Sequence, residues 1–359
     1  MISKFDEIIE KLNQINPVKY SKDRNFIDGS VSKLSPYISR GIISTKFIYK
    51  FLILKGYRLN QIEKFVQELT WRDYWQKKWQ KHDINKDIKN KQKNVYRLGM
   101  PKTVFDKETK IKIFDKCIGD LYDFGYLHNH MRMYIASYIT NVGGYHWKTP
   151  SKWMYYYLLD ADWGSNALSW QWICGTNSNK KYYANQDNIN KFTKTHQKNT
   201  ILDQTYEDLT TYKDFEQFNE KVKFDLKTNL PKSDIFINTD NKPICIYNFY
   251  NLDPNWRKDI DAHRILLIEP SVFEKYPICE NSMNFMLSLA KNIPKMKVIV
   301  SEFKNLPINK SKVFFKEHPL NINYFGTMDS REWLVSDIYY ESFFKYWKNV
   351  KKELLKIHN

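Results

Sequence analysis

The sequence predicts an α + α/β protein in which an all-helical domain is followed by a small parallel α/β domain. In residues 1–200, apolar and aromatic residues recur every three or four positions, as in "FVQELTWRDYWQKKWQKH" and "YLHNHMRMYIASYITNVGGYHW", which is typical of helices. From residue 233 to 359 the pattern changes to short β-rich runs: "KPICIYNFY", "HRILLIEP", "KVIVSEF" and "KVFFKEHP". A helical run, "NSMNFMLSLAKNIPK", separates the second from the third, and this order indicates a parallel Rossmann-like sheet. We expect residues 201–232, which are polar, to connect the two domains, and a helix to end the second.

Composition favours an anionic partner. The chain has 359 residues, 42% of them hydrophobic, which is enough for a substantial core, and a formal net charge of +17. Such a charge favours nucleic acid first and anionic lipid second. A lysine-rich solvated surface is the alternative explanation.

Several classes of protein lack support in the sequence. The four cysteines do not have the close spacing of zinc or iron–sulfur sites, and we expect a cytoplasmic chain with reduced thiols and no metal. The first 20 residues have the pattern of an amphipathic helix and not of a signal peptide. No apolar run approaches the roughly 20 residues of a membrane span. Dinucleotide-binding and P-loop glycine patterns are also missing.

Two segments combine polar and aromatic residues in ways that suggest ligand binding. In "DGSVSKLSPYISRGIIS" (28–44), serine hydroxyls and backbone N–H groups near a helix start suit a phosphate, although an ordinary serine cap is the favoured explanation when the segment is taken alone. In "QELTWRDYW" (67–75), Glu68, Trp71 and Arg72 lie on one helical face with Trp75. A core face rarely carries both charges, so Trp71 could stack on a base while Glu68 accepts hydrogen bonds from it.

Two further segments carry buried-looking polar residues. "LHNHMRMYIASYI" (127–139) aligns Asn129, Arg132 and Met133 on one face, whereas the i, i+2 spacing of its two histidines argues against a shared metal. "LLDADWGSNALSWQW" (158–172) aligns Asp162, Asn166 and Trp170 if it is helical. Asp160 in this segment could pair with a cation such as Arg132.

In order and with close to the family's spacing, these four segments resemble the FAD-binding domain of the photolyase/cryptochrome family over roughly residues 20–192. The resemblance implies FAD as cofactor. It implies FAD contacts by Tyr20, Ser32, Lys33, Leu34, Ser35, Arg72, Arg132, Asp160, Asp162 and Asn166. In the family the first five and Arg72 face the phosphates, and the others face the flavin, with Asn166 near its N5 atom.

The resemblance also implies a reaction, namely light-dependent repair of UV-damaged DNA by a deoxyribodipyrimidine photolyase. Implied catalytic residues are Glu68, Asn166, and the proximal and middle members of an electron-carrying tryptophan chain, Trp170 and Trp147. The third member is expected near Asn94, where Tyr96 is the nearest aromatic residue. Implied lesion contacts are Glu68, Trp71, Asn129, His130, Met133 and Trp172. Since (6-4) enzymes generally have histidines at the positions of Asn129 and Met133, cyclobutane pyrimidine dimers are the expected substrate.

The sequence departs from the family in three respects. "YYANQDNINKF" (182–192) lacks the family's DNA-facing arginine, and His130 replaces another arginine. The helical domain comes first, which suggests a circularly permuted photolyase, with an unrelated α/β domain as the alternative.

Two other functions compete with repair. One is a cryptochrome-like photoreceptor without repair activity, and the other is a basic flavoprotein that binds nucleic acid structurally. We expect a monomer, as in the family.

Overall fold

The computed structural model describes residues 1–211, 213–237, 240, 242–308, 312–336 and 338–356. The helices are α1 (Phe5–Asn13), α2 (Pro17–Asp23), α3 (Ser35–Ser39), α4 (Thr45–Leu54), α5 (Leu59–Lys81), α6 (Lys102–Phe105), α7 (Lys112–Phe124), α8 (Asn129–Ser137), α9 (Lys148–Tyr157), α10 (Trp163–Ile173), α11 (Gln186–Thr193), α12 (Tyr206–Thr210), α13 (Pro270–Lys275), α14 (Glu280–Ala290) and α15 (Phe343–Lys356). The strands are β1 (Met100–Pro101), β2 (Lys221–Val222), β3 (Ile244–Tyr247), β4 (His263–Ile268), β5 (Met296–Val300), β6 (Val313–Lys316) and β7 (Thr327–Asp329). Among these described elements, no helix is both long and apolar enough to cross a membrane.

The contacts divide the chain into two compact units. The sheet unit comprises residues 1–21, 32–80 and 227–359, and the helical unit comprises residues 22–31 and 81–226. This grouping differs from the predicted linear division at residue 200, because residues 32–80 pack with the sheet. The backbone N–H of Leu252 donates to the carbonyl of Arg40 at 2.8 Å, and Trp79 of α5 contacts the rings of Tyr250 and His318.

The sheet unit contains the predicted parallel sheet, in the order β5-β4-β3-β6-β7. All four strand pairs are parallel, and the first strand, β3, lies in the middle with Ile244 beside His263 on one side and Val313 on the other. Its two-sided burial follows from the continuous apolar run "ICIY", as expected for a central parallel strand. The predicted strands and α14 are therefore confirmed, while α13 and the edge strand β7 were not predicted.

In the helical unit, α8, α9 and α10 pack together, and a π-helical turn, Tyr138–Val142, extends α8. The predicted connector, 201–232, is partly structured within it. Thr205 caps α12, and β2 pairs antiparallel with β1. The Tyr145 hydroxyl donates to the carbonyl of Phe218 at 2.7 Å, so this part of the connector contributes to the unit's core.

Candidate functional site

A buried ion pair joins α8 to the loop before α10. Arg132 donates to both carboxylate oxygens of Asp160, at 3.0 and 3.1 Å, and its Nε donates to the carbonyl of Leu127 at 2.8 Å. Asp160 is only 5% exposed, and the bidentate hydrogen bonds from Arg132 compensate its buried charge. This is the pairing of Asp160 with Arg132 that the sequence predicted. The three donated bonds fix the guanidinium in one orientation.

The start of α10 presents further polar atoms close to Asp160 in sequence. Asp162 caps the helix by accepting a hydrogen bond from the backbone N–H of Ser165 at 3.1 Å. One turn later, Asn166 donates its amide to the carbonyl of Ser151 on α9 at 2.8 Å. Since this bond uses an N–H, it fixes which end of the side chain carries the acceptor oxygen.

These side chains fit the polar edge of a flavin ring. A guanidinium, two carboxylates and an amide provide both donors and acceptors, and the structure holds each in one orientation. The core of the same unit is rich in large aromatic side chains, with Trp147, Trp153 and Trp163 fully buried. An apolar ring with a polar edge requires polar atoms that are fixed in this way.

The two tryptophans of the expected electron chain are both buried. Trp170 is 2% exposed on α10, and Trp147, just before α9, is 0% exposed. Trp147 donates its indole N–H to Asp87 at 2.7 Å, and its backbone N–H to the side chain of Gln92 at 3.0 Å. Tyr96 is 54% exposed.

Sequence reasoning missed Asp87 and Gln92. Both lie in the lysine-rich run 82–94, which has the composition of a solvated loop. Gln171 of α10 fixes this loop, because it donates to the carbonyl of Ile84 and accepts from the backbone N–H of Ile88, each at 3.0 Å. A buried indole N–H needs an acceptor, and that requirement was the one available signal for a carboxylate here.

Residues expected to contact the lesion from this unit have different surroundings. Asn129 is exposed at the first position of α8, and Trp172 is 37% exposed beside the ring of Tyr182. Met133, one turn after Asn129, is half-buried. These three side chains remain accessible to a ligand to different degrees.

His130 has a more constrained environment. Its ring contacts Tyr134 and Phe192, with centroids 4.3 and 4.8 Å away, and its Nδ1 lies 2.9 Å from the carbonyl oxygen of Asn25. Burial lowers the pKa of His130, which favours the neutral ring. It therefore does not replace the charge of the family's arginine at neutral pH.

The remaining predicted residues lie in the sheet unit. On α5, Arg72 donates to the Ser39 hydroxyl at 2.7 Å, and Glu68 pairs with Lys64 at 3.2 Å. Trp71 stacks on Phe343 of α15, with ring centroids 3.3 Å apart and an interplanar angle of 8°. The expected base-stacking residue therefore has an aromatic neighbour from the end of the chain.

The predicted phosphate-binding turn precedes α3. Lys33 is exposed with a left-handed φ of 51°, Leu34 is buried, and Ser32 accepts a hydrogen bond from the backbone N–H of Leu34 at 3.4 Å. Ser35 begins α3, and the ring of Tyr20 meets Phe65 edge-on at 5.0 Å. Their role toward the cofactor phosphates stays a prediction.

Comparison with known proteins agrees with this geometry. Residues 65–206 match the family described as the FAD binding domain of DNA photolyase. A deoxyribodipyrimidine photo-lyase of Alkalihalophilus pseudofirmus is 28% identical over 172 residues, which cover 46% of this chain and 36% of the relative. A cryptochrome DASH of Vibrio parahaemolyticus is 26% identical over 201 residues, covering 50% and 42%. The alignments thus span well under half of these relatives' own length.

Solved structures of the same kind are also similar. A bacterial class III photolyase from Agrobacterium tumefaciens shares 24% identity over 48% of this chain and 38% of its own, with a TM-score of 0.41. The permuted domain order stays a prediction. The matched segment contains the Arg132–Asp160 pair, the capped α10 and both buried tryptophans. Residues 65–206 therefore belong to the photolyase/cryptochrome family of FAD-binding domains, and FAD is the cofactor of this domain.

Proposed function

We propose that this protein repairs cyclobutane pyrimidine dimers in DNA in a light-dependent reaction. The family domain supports light-driven DNA repair or photoreception in general. The observation that carries the proposal is the set of Glu68, Trp71, Asn129 and Met133, all within the matched segment. This combination resembles the lesion pocket of dimer-splitting enzymes and not that of (6-4) enzymes.

The chain's own residues would bind and orient the reactants. Arg132, Asp160, Asp162 and Asn166 would hold the flavin edge, and Tyr20, Arg72 and the 32–35 turn would hold the phosphates. Light-excited reduced FAD would supply one electron to the dimer and recover it after the ring has split. The damaged bases must leave the duplex, and a damaged pair costs less to open than an intact one.

One glutamate and four tryptophans have roles that follow from their chemistry. Glu68 would hydrogen-bond to the dimer and stabilise the charge that develops on it, as preorganised polar groups do. Trp71 and Trp172 would stack on the extruded bases, which is worth about 1–3 kcal/mol per base. Trp170 and Trp147 would carry electrons from an external reductant to an oxidised flavin.

A photoreceptor of the cryptochrome type is the second candidate. It is favoured by the neutral ring of His130 and by the missing arginine in "YYANQDNINKF", because both lack the positive charge that the family's arginines have where DNA is expected to bind. Such a protein would keep FAD and the buried tryptophans but would not split dimers.

The first experiment is a repair assay with purified protein containing reduced FAD. An oligonucleotide with one thymine dimer and another with one (6-4) photoproduct are each incubated in blue light and in darkness. We expect light-dependent loss of the cyclobutane dimer alone. No repair of either lesion, with FAD bound and photoreducible, would support the photoreceptor instead.

A matched pair of variants tests the assigned residue. Glu68 and Glu63 both lie on α5, are 30% and 39% exposed, and pair with Lys64 and Lys351. E68Q should lower the quantum yield of splitting, while E63Q should leave it unchanged. Equal yields in both variants would remove Glu68 from the mechanism.

A further inference from the structure

The exposed face of α15 carries lysines and one aromatic ring. Phe344 is 72% exposed, and Lys345, Lys348 and Lys352 are exposed on the same side of the helix. The helix rises 1.5 Å per residue, so the three lysines span about 10 Å. Phosphates of one B-form DNA strand follow each other every 3.4 Å or so along the axis, and this span covers about three of them.

Among the described residues, ion pairs do not neutralise the positive charge of this face. Helix α15 contains five lysines and one glutamate. Lys351 pairs with Glu63 and Lys356 with Glu353. In the part of the chain that the structure describes, no carboxylate forms an ion pair with Lys345, Lys348 or Lys352, and Lys345 lies over the ring of Tyr340 at 4.9 Å.

The opposite face of α15 is already buried. It consists of Phe343, Tyr346, Trp347, Val350 and Leu354. A helix that binds a bilayer surface needs a free apolar face to insert. Since this face is used within the unit, the outer face of α15 suits a hydrated polyanion better than a membrane.

The start of α15 lies beside the expected base-stacking residue. Phe343 stacks on Trp71, and the exposed ring of Phe344 lies edge-on to Trp71 with centroids 6.5 Å apart. The lysines follow Phe344 along the helix. Stacking rings beside a basic track are the usual composition of surfaces that bind single strands.

We propose that the outer face of α15, comprising Phe344, Lys345, Lys348 and Lys352, binds the phosphate backbone of a DNA strand. The proposal rests on the proposed function for the identity of the strand, which is the one that carries the lesion. Phe344 would stack on an unpaired base, and the lysines would bind consecutive phosphates.

The test measures binding of undamaged single-stranded and duplex oligonucleotides at several salt concentrations. The triple variant K345Q/K348Q/K352Q is compared with K275Q/K291Q/K304Q, which removes three exposed lysines elsewhere in the sheet unit. The α15 variant should bind about tenfold more weakly at low salt, and its salt slope for single strands should fall by about 2. F344A should weaken single-strand binding more than duplex binding. Melting temperatures of all variants should stay close to that of the natural sequence.

The outcomes distinguish a failure of this DNA-binding proposal from a failure of the proposed repair reaction. Equal loss of DNA affinity in both triple variants would overturn the proposal, because the loss would then not depend on which three lysines are removed. Binding of anionic vesicles but not of DNA, abolished by the α15 variant, would assign the surface to lipid and also overturn it. If the α15 variant has a reduced salt slope of DNA binding but the natural sequence shows no repair, the DNA-binding surface is supported and the proposed reaction is rejected.

Discussion

Two aspartates with the same exposure, one in each unit, have different partners. Asp160 in the helical unit and Asp73 in the sheet unit are each 5% exposed. Asp160 accepts two hydrogen bonds from the guanidinium of Arg132, at 3.0 and 3.1 Å. Asp73 accepts hydrogen bonds from the Thr45 hydroxyl at 2.9 Å and from the backbone N–H of Leu334 at 2.8 Å. One carboxylate has a bidentate cation, and the other has neutral donors.

The difference shows that a buried carboxylate is controlled by its partner as much as by its burial. Burial raises the pKa of Asp73 to about 6, and its hydrogen bonds, together with the charges of Arg331 and Lys77, only partly oppose this. Asp160 forms a complete ion pair that suits a binding site, because its guanidinium is held rigidly. Asp73 instead holds a distant chain segment in place.

The largest effect is expected when the ion pair is broken. Arg132→Met leaves Asp160 buried without a cation, which costs about 3–5 kcal/mol for a buried pair, with the lower end expected here because Arg132 is 21% exposed. The free energy of unfolding and the fraction of bound FAD measure the result. Both should fall.

The double variant Arg132→Met with Asp160→Leu separates the two roles of the pair. Removing both charges should restore most of the lost unfolding free energy, because no unpaired charge remains. Flavin binding should not return. Recovery of FAD together with stability would mean that the pair is structural only.

The next largest effect on the free energy of unfolding is expected at Phe343, and its neighbour Phe344 is the control. Phe343 is 5% exposed and stacks on Trp71, whereas Phe344 is 72% exposed. Phe343→Ala should cost about 3 kcal/mol of unfolding free energy, and Phe344→Ala less than about 0.5 kcal/mol. Urea unfolding of both variants measures this. A small effect of Phe343→Ala would show that α15 does not depend on the Trp71 stack.

The raised pKa of Asp73 predicts that the free energy of unfolding falls as pH rises. Its pKa is raised from 3.8 to about 6, so the stability that the protonated group contributes is complete below 3.8 and is lost as pH rises through 6. A shift of this size corresponds to roughly 2–3 kcal/mol. Between pH 4 and 7, the natural sequence should lose more unfolding free energy than Asp73→Asn, by about 2 kcal/mol. Parallel pH profiles of the two proteins would contradict this assignment.

Local patterns predicted much of the site, and long-range contacts account for what they missed. The helices α5, α8 and α10 follow from spacing, since apolar and aromatic residues on one face recur every three or four residues. The Arg132–Asp160 pair, whose members are 28 positions apart, follows instead from the need of a buried carboxylate for a cation. The bond between Asp73 and Leu334 joins residues 261 positions apart, and no periodicity reports such a contact. The same holds for Phe343 on Trp71, and for the packing of residues 32–80 with the sheet.

The smallest expected effect concerns the exit of the electron chain. The backbone N–H of Tyr96 donates to the carbonyl of Gly144 at 2.9 Å, and that of His146 donates to the carbonyl of Arg97 at 3.0 Å. This pairing holds exposed Tyr96 close to the segment that contains Trp147. If Tyr96 is the terminal donor, Tyr96→Phe should slow light-driven flavin reduction several-fold, because phenylalanine is not oxidised under these conditions.

Tyr206→Phe is the matched control for Tyr96→Phe, since Tyr206 is also exposed, at 48% against 54%. It should leave the rate of flavin reduction unchanged, and neither variant should change the melting temperature. Electron paramagnetic resonance after illumination provides a second readout, because a tyrosyl radical should be absent from Tyr96→Phe and present in the control. Equal rates and equal radical yields would mean that electrons reach Trp147 by another route. Asp87, which accepts the indole N–H of Trp147 at 2.7 Å and would stabilise positive charge on an oxidised indole, would then be the residue to vary next.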